Sequence, residues 1–420
     1  MKKLAIVSIA VFLNATTITT LFDAIEKTSD YKLDTIAKKE MKINKKSVVN
    51  SLYPKLTLQA SIEHFNIDNS MIPITPTESA TLTKINGDLP FSQNIQRIGF
   101  EVSMPLFIKS IYDNKNKMTK LVKATEYQTE INLYKKQTLL VGYLSKFNSL
   151  DSLKKALNKQ KQSITITYKA LKTAVDVGRV PEFKLLRLED KLNQIKIQLS
   201  NINQNIDEIK SNIYKITNKK IQDPISFNSL KVENGDFISL KPLYEKSKAN
   251  EYALKAKKDN NLPNIIFKVK ANRAYGEAYN TGNNISEDFA SAGIYLVWNI
   301  FDKKNNSEIQ KAKIEILKND LEISKIKKDL SAEIQKINSS LEEINKQISL
   351  TDKSLTLKEK LLKGAKVAFK LNRMSVDEYL QYEDDLAKTK ADLANLKANK
   401  NMLKANKALI YGENLKKVFK

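Results

Sequence analysis

The sequence predicts an α+β membrane protein built as a tandem repeat, in which two β-strands and a long α-helical coiled-coil hairpin occur twice. Two observations support this prediction. Residues 99–107 have the same pattern as residues 293–301, 194 positions later, and the segments after Gly178 and Asn372 match at the same offset. Between these landmarks lie long stretches with helical periodicity. Repeats of this length favour one extended body over several independent domains.

The N-terminal residues 1–17 are expected to form a secretory signal peptide. Met1, Lys2 and Lys3 give a positively charged start, and an apolar run follows over residues 4–13. This run has the length of a signal-peptide core. It is too short to cross a bilayer as a helix, which needs about 20 apolar residues. The sequence therefore predicts export from the cytoplasm.

The repeats divide the rest of the chain. The first is expected over residues 18–218, with strands at about 55–66 and 97–107 and a helical hairpin at about 108–218. The second is expected over residues 246–412, with strands at about 264–275 and 291–301 and a hairpin at about 303–411. A linker is expected at 219–245 and a C-terminal tail at 413–420.

All four predicted strands alternate apolar and polar residues over about ten positions, the length of a tilted strand that crosses a bilayer. The apolar side chains would face lipid, and those we select are Leu58, Phe100, Val102, Ile294, Leu296 and Trp298. Four strands cannot close a barrel around water, so several chains would have to share one. A soluble sheet with one wet face is the alternative.

The helical regions are too long for a small globular domain. Residues 108–177 and 303–371 contain no proline and one glycine each. The helix that returns after Gly178 carries Leu or Ile at alternating intervals of three and four, which is a coiled-coil seam: Leu185, Leu188, Leu192, Ile195, Leu199, Ile202, Ile206, Ile209, Ile213 and Ile216. Gly178 and Asn372 are expected at the two reversals, because Gly and Asn adopt left-handed backbone conformations most easily.

The residue types argue against an enzyme, a cofactor site and a metal site. The chain has no Cys and a single His, His64, and it lacks the glycine-rich phosphate motifs. The acidic runs 189–190 and 383–385 are expected to be solvated coiled-coil faces, since neighbouring helical residues point in different directions. A net charge of +24 could suggest nucleic acid, but only five of the 71 basic residues are Arg, so no nucleic acid partner is expected.

Several motifs resemble those of the TolC-type outer-membrane factors of bacterial efflux and type I secretion. Residues 52–56 and 261–265 look like the entry to the first strand of each half, and residues 105–107 and 298–302 look like the exit of the second. The turns at Gly178 and Asn372 are similar to the two periplasmic tips. The resemblance covers nearly the whole chain after the signal peptide.

The resemblance implies a homotrimer with a 12-stranded β-barrel in the outer membrane of a Gram-negative bacterium and a 12-helix tunnel in the periplasm. It implies a passive exit duct that contacts outer-membrane lipid, a periplasmic adaptor protein and an inner-membrane transporter. The adaptor would dock at the tips, here Gly178, Arg179, Val180, Asn372, Arg373 and Met374. The periplasmic gate candidates are Lys184, Asp377, Glu378 and Asp385, with Lys184 and Glu378 as a reversed ion pair. An exported periplasmic coiled-coil protein is the second interpretation.

Overall fold

The structure is a computed structural model that describes residues 17–225, 227, 230–371 and 373–419. Almost all of the expected signal peptide, and Asn372 at the second turn, lie outside the described residues. The chain divides into two compact units. The first combines a segment ending at Ala37 with Glu126–Pro242 and the segment that begins at Ser324. The second combines Lys38–Thr125 and Leu243–Ile323.

The described elements follow one another as helix, strand and hairpin in each half. In chain order they are α1 (Ile18–Ile25), α2 (Ser29–Asn50), β1 (Lys55–Ser70), α3 (Pro76–Lys84), β2 (Phe91–Phe107), α4 (Lys109–Asp176), α5 (Phe183–Thr217), a 3-10 turn (Ile238–Leu240), α6 (Lys241–Asp259), β3 (Asn264–Glu277), β4 (Asn284–Val297), α7 (Lys303–Lys370), α8 (Val376–Tyr411) and α9 (Leu415–Val418).

The strands form one antiparallel sheet in the order β1-β2-β3-β4. Strands β2 and β3 come from different repeats and pair with each other, with Phe100 opposite Ala271 and Val102 opposite Val269. Hydrogen bonds across this pair therefore join the two halves of the sequence in one sheet.

Three strands differ in length from the prediction. Strand β1 continues to Ser70, and β2 and β4 begin at Phe91 and Asn284, before the alternating pattern starts. Backbone pairing continues here because it does not require apolar side chains. Strand β4 ends at Val297, opposite Asn264, and not at residue 301. Asn264 is the first residue of β3, and the residue before it, Pro263, has no N–H to donate. The pairing therefore stops there.

The expected linker is partly helical. It contains the 3-10 turn, and α6 begins inside it at Lys241. Helix α6 precedes β3 in the sequence, just as α2 precedes β1. Each repeat therefore begins with a helix that the strand pattern alone did not predict.

The hairpin helices follow the duplication closely. Helices α4 and α7 each have 68 residues, and both ends of α7 lie 194 positions after those of α4. The seam predicted on α5 is packed in the core of the first unit, where Leu188, Ile195 and Ile213 are at most 1% exposed. Within the part of the chain that the structure describes, no helix is both long enough and apolar enough to cross a membrane.

The two ends of the described chain meet in the first unit. Helix α1 buries Leu21 and Phe22 completely, and the Phe22 ring centroid lies 6.0 Å from that of Phe419. The Lys416 ammonium lies 2.5 Å from an Asp23 oxygen and 3.0 Å from a Glu26 oxygen. An aromatic contact and two ion pairs thus hold α1 against α9.

Candidate functional site

One face of the sheet is apolar and exposed. Residues that pair across strands share a face, and Leu58 is opposite Phe100 while Ile294 is opposite Phe267. The side chains of Leu58, Phe100 and Ile294 are 59%, 54% and 70% exposed. A continuous apolar face of this kind indicates a surface that is covered by lipid or by another protein. This placement agrees with the lipid-facing set, to which Val102 and Leu296 also belong by register.

Trp298 is the exception in that set. It lies beyond the end of β4, and its indole N–H donates to the carbonyl oxygen of Asn261 at 2.9 Å. Its ring is 55% exposed, next to the last apolar residues of the strand. An amphipathic aromatic side chain at this position is typical of the edge of a membrane-embedded band rather than its middle.

The opposite face of the sheet is polar. The Lys268 ammonium lies 4.0 Å from a Glu101 oxygen and 5.7 Å from the Tyr295 ring centroid, and Arg97 forms an ion pair with Glu63. The sheet therefore has the apolar and polar faces that a strand between lipid and water requires.

Helix α4 ends at the first turn, where one residue has a left-handed backbone conformation. Gly178 has φ +73°, and the Arg179 N–H donates to the Ala174 carbonyl at 2.9 Å, as in a Schellman motif. At the second turn the Arg373 N–H donates to the Ala368 carbonyl at 2.9 Å, again 194 positions later. The duplication thus extends to the hydrogen bond that closes each helix.

Replacing Gly178 by Val should distort the first turn, because a β-branched side chain is strained at positive φ. We expect a cost of about 1–2 kcal/mol at the turn. Asn is the matched control, since it tolerates this conformation. Amide hydrogen exchange at residues 174–179 should increase for Val and stay unchanged for Asn. Equal exchange in both variants would show that the turn does not depend on Gly178.

Among the gate candidates, Glu378 is part of the capping box that begins α8. Its carboxylate accepts a hydrogen bond of 2.8 Å from the Ser375 N–H, and its own N–H donates to the Ser375 hydroxyl at 3.1 Å. The bond from the Ser375 N–H lowers the pKa of Glu378. No ion pair joins Lys184 to Glu378 among the described residues, so the predicted pair does not form within the chain.

Other side chains connect the two hairpins near their turns. Arg187 of α5 pairs with Asp377 of α8, and the Lys191 ammonium lies 2.6 Å from an Asp384 oxygen. The Gln160 amide donates to the other Asp384 oxygen at 2.7 Å, which adds α4 to the contact. Asp385 follows Asp384 in α8, and both residues line a groove formed by α4, α5 and α8.

The expectation that residues 383–385 form a solvated face is wrong for Glu383, whose side chain is 4% exposed. Its carboxylate accepts hydrogen bonds from the hydroxyls of Tyr379 at 2.7 Å and Ser163 at 2.5 Å, and the Lys366 ammonium lies 3.5 Å away. Burial raises the pKa of Tyr379 to about 12. One carboxylate thus joins α4, α7 and α8.

Sequence reasoning missed this cluster, although one signal was present. Tyr379, Leu386 and Leu393 recur every seven residues and form a coiled-coil seam on α8. Glu383 follows Tyr379 by four residues, so both lie on the same helix face. A carboxylate that is buried in a seam between helices needs a hydrogen-bond or ion-pair partner. The identities of Ser163 and Lys366 as its partners depend on how three helices pack and have no local pattern.

Glu383→Ala should destabilise the first unit by about 2 kcal/mol, because the hydroxyls of the buried Tyr379 and the partly buried Ser163 lose their common acceptor. Glu383→Gln keeps an acceptor oxygen and should cost clearly less. Thermal unfolding of both variants in detergent measures the difference. If Ala and Gln behave alike and match the unmodified chain, Glu383 does not hold the three helices together.

The described residues hold no group of three or more His, Asp or Glu side chains that could bind a metal ion. The candidate site therefore consists of the two-faced sheet and the linked hairpin turns.

Solved structures with a similar fold include three outer-membrane proteins. The CmeC outer-membrane channel of Campylobacter jejuni is 16% identical, with a TM-score of 0.75 over 94% of this chain and 85% of CmeC. VceC of Vibrio cholerae, an outer-membrane protein, is 13% identical, with a TM-score of 0.77 over 94% and 96%. The open MtrE outer-membrane channel of Neisseria gonorrhoeae is 12% identical, with a TM-score of 0.76 over 96% and 90%.

The chain has the outer-membrane channel fold. This confirms the fold of the single chain that the resemblance to TolC-type factors predicted, whereas the trimer, the 12-stranded barrel and the 12-helix tunnel stay predictions. At these identities the similarity establishes the fold alone. No protein-family model and no curated protein matches the sequence.

Proposed function

We propose that the chain is a TolC-type channel of the Gram-negative outer membrane that serves as the exit duct of a tripartite efflux pump or a type I secretion system. The observation that carries the proposal is the two-faced sheet, apolar on one side and polar on the other, in a chain with the channel fold. As the resemblance to TolC-type factors implies, an inner-membrane transporter would supply the energy.

The functional unit of the proposal is a homotrimer. Three copies of the four-stranded sheet give a 12-stranded barrel, with the exposed apolar face toward lipid and the face with Lys268 and Glu101 toward the lumen. Three copies of α4, α5, α7 and α8 give a 12-helix tunnel. A periplasmic adaptor would dock at the turns, at Gly178, Arg179, Val180, Asn372, Arg373 and Met374.

An exported coiled-coil protein of the periplasm is the second interpretation. The exposed apolar face argues against it, because a water-soluble protein rarely exposes a continuous face of large apolar side chains such as Phe100 and Ile294. Cell fractionation separates the two. A trimer that detergent extracts from outer membranes, and that dissociates on heating, supports the channel; free periplasmic protein would favour the alternative.

Ion conduction tests the proposal directly. In planar bilayers the purified trimer should give discrete conductance steps, and Asp377→Ala should raise the open probability because Arg187 then loses its partner on α8. Lys184→Ala tests whether Lys184 reaches Glu378 of a neighbouring chain, and Asp385→Asn tests the remaining acidic candidate. Glu189→Gln, at an exposed position of α5 outside the gate candidates, is the nearby charge control. Absence of any conductance from a folded trimer would contradict the channel function. Unchanged opening in Asp377→Ala would remove only this contact from the gate.

A further inference from the structure

Positive charge in the second unit is concentrated next to the sheet. The helical segments 38–53, 108–125, 243–262 and 302–323 contain 20 lysines and 10 acidic residues. The sheet and its loops, residues 55–107 and 264–297, contain six basic and eight acidic residues. The excess of lysine therefore lies in the helices and stops where the strands begin.

Part of this charge has no counterion within the chain. Lys109, Lys120 and Lys257 form ion pairs with Asp259, Glu245 and Glu308 at 3.4–3.9 Å. Exposed lysines that form no ion pair among the described residues occur in all four segments, and we call five of those near the strand ends the lysine collar: Lys46, Lys115, Lys258, Lys303 and Lys304.

The lysine collar lies at one end of the sheet. Its members come from α2, α4, α6 and α7, and each lies within nine residues of a strand end. Because the sheet is antiparallel, the starts of β1 and β3 and the ends of β2 and β4 lie at the same edge, which is also where Trp298 follows β4. A helix rises about 1.5 Å per residue and an extended segment at most about 3.5 Å, so each member lies within roughly 25 Å of its strand end.

We propose that the lysine collar binds the anionic phosphate headgroups of phospholipids in the leaflet that faces the periplasm. The inference rests on the proposed function, which places the apolar face in a bilayer. A lysine ammonium is a compact point charge that suits phosphate, and lysines beside a membrane surface attract anionic lipid. Because the collar is supplied by four helices, it would fix the depth of the sheet as well as strengthen its binding.

Insertion into vesicles tests the proposal. The full-length chain is added to vesicles of phosphatidylcholine, with or without phosphatidylglycerol, and inserted protein is separated by flotation. We expect insertion into both, with about tenfold stronger partitioning into vesicles that contain phosphatidylglycerol at low salt. High salt should remove the preference, since it shortens the range of charge interactions.

Three variants locate the effect. Replacing all five collar lysines by Gln should abolish the preference, whereas replacing them by Arg should keep it. The matched control replaces five exposed lysines of the first unit by Gln and should also keep it: Lys159, Lys169, Lys172, Lys325 and Lys353. Circular dichroism confirms that each variant is folded.

The outcomes separate this proposal from the channel proposal. Equal insertion of the unmodified chain into both kinds of vesicle would overturn the collar and leave the channel in place. Loss of the preference in the control variant would attribute it to net charge and also overturn the collar. Failure to insert into either vesicle would contradict the membrane-inserted sheet itself, and the collar with it.

Discussion

Val102→Arg is expected to destabilise the membrane-inserted sheet by about 2–4 kcal/mol, the cost of an arginine on a lipid-facing strand near the middle of the bilayer. Val102 is paired with Leu56 on one side and Val269 on the other, so the new guanidinium would stand among apolar side chains. It would have no carboxylate partner on that face nearby. The measurement is the fraction of heat-modifiable trimer in isolated outer membranes, or the urea midpoint of unfolding from vesicles.

Thr57→Arg is the matched control for this change. Thr57 lies on the adjacent strand, but its register partner is Glu101, on the polar face. An arginine there would meet a carboxylate and water, so assembly should be close to that of the unmodified chain. Equal defects in the two variants would mean that the faces of the sheet do not differ in environment, and the barrel interpretation would fail.

Gly99→Val should be about as damaging, for a steric reason. A Cβ atom at position 99 would lie 2.5 Å from the Asn272 Cβ and 2.7 Å from its Cα, and it would also collide with the Ala271 carbonyl oxygen. Two of these atoms are backbone atoms of β3, so the strand itself would have to move. Overpacking of this kind costs typically about 1–3 kcal/mol, and the branched Val should reach about 3 kcal/mol.

Gly293 offers the control for Gly99, because it occupies the equivalent position in the second repeat. A Cβ there would lie 3.2 Å from the Tyr295 ring, a side chain that can rotate away. Gly293→Ala should therefore assemble almost normally, while Gly99→Ala already lowers the yield of trimer. If the two alanine variants assembled equally well, the close approach of β2 and β3 would not limit the pairing of the repeats.

The sequence predicted the fold well wherever its signal was periodic. The constant offset between Gly99 and Gly293 required the intervening helices to match, and α4 and α7 do so residue for residue. The alternation in the strands identified the apolar face. The outer parts of β2 and β4 were missed because most of their side chains are polar and apolar ones such as Ile95 and Ile285 are isolated, while hydrogen bonding of the backbone continues.

The candidate site was less predictable because most of it depends on tertiary contacts. The role of Glu378 could have been found, since Ser375 and Glu378 have the spacing of a capping box. The turn at Gly178 was predicted from its residue type. The pairing of Arg187 with Asp377, and of Glu383 with Ser163, joins residues 190 and 220 positions apart and leaves no mark in local sequence.

The contact between α1 and α9 has a consequence for biosynthesis. Phe22, Asp23 and Glu26 are synthesised about 390 residues before their partners Lys416 and Phe419. Until Lys416 and Phe419 have been added, the apolar surface of α1 lacks the contacts of α9. A fragment that stops before Lys416 would leave that surface uncovered, so the closing of α1 by α9 requires both segments in one chain.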